Sequence, residues 1–100
     1  TGQRPFLLDT VRWGTDWLLK ASPQPNVLYG QVGTGSADHS FWGPPERMTM
    51  PRPSFRLDPT KPGTEVAGEA AAALAAAHLL FKSDDPAYAA RLLERARSLF

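Results

Sequence analysis

Residues 65–82, EVAGEAAAALAAAHLLFK, decide the fold class. The stretch has no helix breaker apart from Gly68, and alanine has the highest helix propensity of any residue. Because alanine falls on nearly every face, neighbours are expected to pack closely all round and bury this helix inside a larger helical array. Thr64, which follows Gly63, reads as the N-cap, with Glu65 placed to meet the positive helix end. Downstream, Asp84-Asp85-Pro86 predicts another helix. Asp85 caps it, and Pro86 takes the first position, where a missing N–H costs nothing. Tyr88, Leu92, Ala96 and Leu99 then recur along one face, with Leu93 and Phe100 adjacent.

Upstream, residues 6–21, FLLDTVRWGTDWLLKA, place Leu7, Val11, Gly14 and Leu18 at helical spacing. Gly14 in mid-helix costs about 1 kcal/mol relative to alanine. Its presence predicts close approach by a neighbouring helix or backbone. Ser22-Pro23 and Gln24-Pro25 end this first helix, because a residue before proline disfavours the α region. Residues 27–33, VLYGQVG, form at most a short extended piece weakened by Gly30 and Gly33. Residues 34–63 read as irregular, since Pro44, Pro45, Pro51, Pro53, Pro59 and Pro62 exclude any long helix. Within them RPSFRLD alternates Phe55 and Leu57 with polar residues, as a short edge strand does. The expected fold class is therefore all-α, with three helices and a long irregular loop, in a single partial domain over residues 1–100. Phe100 closes an amphipathic pattern with no cap after it, which suggests a piece of something longer.

Bulk properties narrow the function. Hydrophobic residues make up 42% and charged residues 21%, as in an ordinary globular chain. A net charge of +1, with arginines dispersed, argues against a nucleic-acid partner. With no cysteine, disulfide scaffolds and cysteine zinc sites are excluded. The longest apolar run, AAAALAAAHLLF, is interrupted by His78 and is shorter than the roughly 20 residues that span a bilayer, so no membrane role is expected.

The candidate chemistry lies in the loop, in ADHSFWGPPERMTMPRP, residues 37–53. Long loops in compact domains are usually functional or disordered, and this one is too apolar for a disordered linker. His39 can donate and accept hydrogen bonds near neutral pH, and Trp42 offers a flat apolar face with one polar edge. Together they suit a polyhydroxylated ring, stacked on the indole and hydrogen-bonded through its hydroxyls. The structural alternative is that Trp42 plugs the loop onto the helices while His39 bonds the backbone. No ligand spacing such as HExxH supports a metal site, and no cofactor is expected. Asp38, Glu46, Asp58 and Glu69 have no spacing that pairs any two for acid–base work. Glu69, on the alanine-rich helix, would need a partner if buried, and Arg52 or Arg56 could supply one. The glycines of GQVGTGS neither follow a confident strand nor open a helix, and no lysine follows them, so nucleotide binding is discounted.

The order of motifs is more specific than any one of them. VRWGTDWLLKA, then NVLYGQVG, then ADHSFWGPPERMTMPRPSF, then DPTKPGTEVAGEAAAALAAA closely resembles the glycoside hydrolase family 9 cellulases, from about Val11 to Phe81. The following helix with its ARSLF ending also fits. The resemblance implies a segment of an (α/α)6 barrel with an open cleft across one end. It implies endo-acting hydrolysis of β-1,4-glucans with inversion, and secretion, although TGQRPFLLDT has no signal-peptide pattern. Inversion needs a base that activates water and a separate acid. In the family the base aspartate lies upstream of the matched region and the acid glutamate near the end of the catalytic domain. Neither motif occurs here, so no catalytic residue is assigned and the isolated chain is expected to be inactive. His39 and Trp42 match the histidine and tryptophan of the family's DADHxxWG segment, which lines the glucose-binding cleft. They are the expected contacts to β-1,4-glucan or cello-oligosaccharide. Ser36 stands where the family has an acidic residue, and Gly68 where it has alanine. Arg52, in the string PRP, is expected to brace the loop. The alternatives are a non-catalytic carbohydrate-binding fragment and a structural helical piece that self-associates through exposed apolar faces.

Overall fold

The computed structural model describes residues 2–100, a slab 46 × 39 × 18 Å. Four α-helices and a two-stranded sheet follow in the order α1 (Arg4–Ala21), β1 (Leu28–Val32), α2 (Gly35–Ser40), β2 (Ser54–Leu57), α3 (Thr64–Phe81) and α4 (Pro86–Leu99), with a 3-10 turn at Pro45–Arg47. The helical frame agrees with the sequence reading. The "irregular" segment does not, because it holds a short helix, the 3-10 turn and one strand of a real hairpin. Six residues are too few for α2 to show a helical period.

α3 and α4 form an antiparallel hairpin, across which α1 packs. Their core joins Leu74, Ala77, Phe81, Tyr88, Ala89, Leu92 and Ala96, flanked by Leu8, Val11, Leu18 and Leu19 of α1. Leu74 and Leu92 have no exposed surface. The alanines of α3 let α4 approach closely. Burial nevertheless follows one stripe, Ala70, Ala71, Leu74, Ala77 and Phe81. Leu79 and Val66 stay exposed on other sides of the helix, so packing all round the helix is not realised within this chain. Gly14 and Gly68 likewise have open space where a side chain would project, which corrects the close approach expected at Gly14.

The junction of α3 and α4 follows from turn chemistry. Asp84 and Asp85 N–H groups donate to the Phe81 carbonyl, and Asp85 Oδ1 accepts from the Tyr88 N–H at 3.0 Å. Asp85 thus caps α4 as expected, and the Tyr88 N–H and then the Arg12 guanidinium hold its carboxyl below the usual carboxylate range. Arg12 ties α1 to this turn, pairing with Asp85 at 2.9 Å and lying 4.1 Å from the Tyr88 ring centroid. Phe81 and Tyr88 meet edge to face at 5.1 Å. Tyr88 Oη donates to Asp16 Oδ1 and lies 2.7 Å from Thr15 Oγ1. Burial above all pushes the Tyr88 phenol up from its ordinary value.

At the start of α3 the expectation fails. Gly63, not Thr64, occupies the cap position, without a side-chain cap bond. A Cβ on Gly63 would stand 2.7 Å from Leu57 Cδ1. The position thus sits where β2 crowds the helix start, and a side-chain cap there would displace Leu57. β1 and β2 pair antiparallel with Leu28 opposite Leu57 and Val32 opposite Ser54. The register shifts between Tyr29 and Gln31, so Gly30 is the extra residue of a bulge, a usual meaning of glycine inside a strand.

Candidate functional site

The segment from Gly33 to Pro53 leaves β1, turns through α2 and the 3-10 turn, and returns to β2. Gly33 makes the first bend with φ +82°, in the left-handed region that favours glycine, and its N–H donates to the Pro53 carbonyl at 2.7 Å. Thr34 is extended and its Oγ1 accepts from the Ala37 N–H, an N-cap that starts α2. Phe41, again extended, ends it. The Phe41 ring then lies over Gly43, where a Cβ would come within 3.1 Å of its Cζ. Pro44 and Pro45 open the 3-10 turn, closed by bonds from Arg47 N–H to the Pro44 carbonyl and from Met48 N–H to the Pro45 carbonyl.

His39 lies in the last turn of α2. Its Nδ1 is 2.6 Å from the Gly35 carbonyl oxygen. A carbonyl only accepts, so Nδ1 carries the hydrogen, and in the neutral ring Nε2 keeps its lone pair free as an acceptor. The side chain is exposed. Trp42 follows just beyond the helix end and is 102% exposed, so it does not plug the loop onto the helices. The structure therefore leaves both residues exposed, three positions apart in the chain. No hydrogen bond links them among the described residues.

Arg52 does brace the loop. Its Nη1 lies 2.5 Å from Asp38 Oδ1, while Nη2 reaches Asp38 Oδ2 and the Val32 carbonyl, each at 3.4 Å. Both side chains are more than a third exposed, and pairs of that kind contribute about 0–1 kcal/mol. The expected partnership of Arg52 or Arg56 with Glu69 is not formed. Arg56 Nε pairs instead with Asp58 at 3.0 Å, and Glu69 is exposed. Asp58 caps its own turn, accepting from Thr60 Oγ1 at 2.6 Å and from the Thr60 N–H at 2.8 Å. These bonds above all, with Lys61 N–H and Arg56 adding to them, hold its carboxyl below the ordinary range. Among the described residues no three metal-binding side chains cluster, and no helix is long and apolar enough to cross a membrane.

A concavity of about 520 Å³ lies between α1, β1 and α3, lined by Trp17, Leu28, Tyr29, Val66 and Glu69 among others. It includes no residue of the His39–Trp42 segment. Sequence reasoning missed α2 and the Arg52–Asp38 link. Thr34, a good N-cap type ahead of GSADHS, was the available signal for α2; nothing in the sequence pairs Arg52 with Asp38.

The glycosyl hydrolase family 9 model matches residues 1–100. Endoglucanase 15 of Arabidopsis thaliana is 57% identical over 93% of this chain and 19% of its own length, and an endoglucanase of Dictyostelium discoideum is 54% identical over 98% of the chain and 14% of its own. Among solved structures, an endoglucanase from the termite Nasutitermes takasagoensis superposes with a TM-score of 0.87 at 51% identity, covering 92% of this chain and 21% of that one. A cellulase of C. cellulolyticum, solved in complex with cellobiose, gives 0.86 at 41% identity, covering 92% and 22%. The chain thus spans about a fifth of the length of the relatives it matches.

Proposed function

We propose, since this chain belongs to glycosyl hydrolase family 9, that it is the cleft-wall segment of a secreted endo-β-1,4-glucanase that cleaves with inversion within an (α/α)6 barrel. The observation that carries the reading is the paired presentation of Trp42 and His39. A fully exposed indole beside a histidine with a free Nε2 acceptor is a surface for one glucose unit, stacked through its C–H face and hydrogen-bonded through a hydroxyl. The cellobiose complex of a relative belongs with this reading.

The chain's own chemistry is recognition. Inverting hydrolysis needs two carboxyls about 6.5–9.5 Å apart, one as acid and one as base. Asp38 is committed to Arg52 and Asp58 to Thr60 and Arg56, so neither stands free to activate water. Base and acid belong to the parts of the family's catalytic domain that this chain does not match. His39 and Trp42 hold the glucan in register for them.

Reducing-end release from carboxymethyl cellulose by the purified chain, with a heat-treated control, tests the division of labour. No release is expected. Release that survives repurification and disappears on changing one carboxylate would mean that the chain builds its own catalytic pair. A second reading, a structural piece that self-associates, draws on Trp13, 80% exposed, and on Phe6 and Leu79. A concentration-dependent mass in sedimentation, unchanged by sugar, would favour it.

A further inference from the structure

We infer that Arg52 is a positioning residue for the sugar-contact surface, setting the orientation of His39 by tying α2, through Asp38, to the end of β1. The inference rests on the glucan-contact reading of His39 and Trp42, and adds a residue whose hydrogen bonds go to Asp38 and Val32 rather than to the histidine.

The geometry is specific to the guanidinium. Arg52 follows Pro51, whose own φ is fixed, and precedes Pro53, whose ring disfavours the α region for Arg52. Pro53 is itself fastened to Gly33 by the 2.7 Å backbone bond. The side chain then crosses the bend at Gly33, occupying the space where a Cβ would project: Nη2 lies 2.7 Å and Cζ 2.9 Å from that point. From there it reaches the Val32 carbonyl before α2 and the Asp38 carboxylate within α2. Asp38 immediately precedes His39, and Gly35, whose carbonyl holds His39 Nδ1, opens the same helix. A six-residue helix with no buried residue has little packing to fix its direction. The planar fork, which meets a carboxylate and a carbonyl together, supplies that direction as a lysine ammonium cannot.

A long-range proton–nitrogen correlation of the His39 ring, recorded on this chain well above the ordinary histidine pKa of about 6.5, reads the orientation directly. The Nδ1–H form is expected in the parent chain. Arg52→Gln should lose that signature toward the mixture of a free side chain, and Arg52→Lys should restore it only in part. Asp38→Asn reads the same link from the other side, so a folding defect in one variant does not mask the result; Tyr88 and Phe81 ring signals report the core. Cellotetraose affinity, followed by shifts at the Trp42 indole, should fall by about fivefold or less in Arg52→Gln, as suits a half-exposed pair. An unchanged Nδ1–H signature in both Arg52→Gln and Asp38→Asn, with the core intact, would overturn the proposal. A parent chain with no cellotetraose-induced shift would count against the glucan reading alone, and the tautomer would still decide for or against Arg52.

Discussion

Between Leu74 and Ala96 the chain buries Leu74, Phe81, Tyr88 and Leu92 almost completely, whereas from Thr34 to Glu69 not one residue is buried. The helical part is held by apolar area and by the Tyr88–Asp16–Arg12 contacts that lock α1 to the hairpin. The loop part is held by turn chemistry: a left-handed glycine, two side-chain caps and half-exposed ion pairs. Apolar burial is the larger stabilising effect by far. The difference teaches where binding residues can be placed: a surface that must stay open to a ligand cannot be secured by burying its side chains, so its shape is set by local backbone bonds.

Leu92→Ala would test the strong half most severely. Truncating a fully buried leucine costs about 2–5 kcal/mol, a large share of the total stability of a small domain. Urea denaturation should show that loss; a cost under about 1 kcal/mol would mean that the core is not the anchor described here.

Acid titration separates the halves next, because each has one carboxylate with a lowered pKa. For both Asp85 and Asp58 the folded value lies below 3.8, so the unfolded chain binds more protons in that window. The stabilisation is present above 3.8 and is lost as pH falls through the folded value. Asp85→Asn should flatten the acid limb of global unfolding, since Asp85 fixes α4 to α1. Asp58→Asn should leave global unfolding in place and instead speed amide exchange at Thr60 and Lys61, whose N–H groups it holds. Equal effects on global stability would erase the distinction between the halves.

The smallest stability effect is expected at the proposed sugar contact. Trp42→Ala should move the unfolding free energy by no more than about 0.5 kcal/mol, since the side chain is fully exposed, yet abolish cellotetraose-dependent fluorescence quenching. A marked loss of stability would show that the indole packs against the protein after all.

Much of the helical half was legible in the residues. Proline pairs ended α1, Asp85-Pro86 started α4, and the Tyr88, Leu92, Ala96 stripe identified its buried face. Each is a local rule or a period that runs over several turns. α2 was not legible because one and a half turns of GSADHS contain no period, and the prolines of residues 34–63 made the whole segment read as irregular. The hairpin was half seen: both strands were weak candidates, but their pairing is a contact between residues far apart in sequence. Thr64 failed as a cap because Leu57, seven residues earlier, fills the space beside Gly63.

His39 and Trp42 could be singled out from residue type, loop placement and family resemblance, and the helical class from the alanine-rich stretch, because these depend on side-chain chemistry and local conformational preference. Which arginine holds Asp38 was decided only when the chain returned from Pro53 to lie against Gly33, and which ring nitrogen of His39 is free by its bond to Gly35 within α2, a helix too short to show a period in the sequence. Ion pairs and hydrogen bonds act over a few ångströms. The partner of a charge is therefore whichever group the fold brings within reach: Arg52 took Asp38, fourteen residues away, and left Glu69 to solvent.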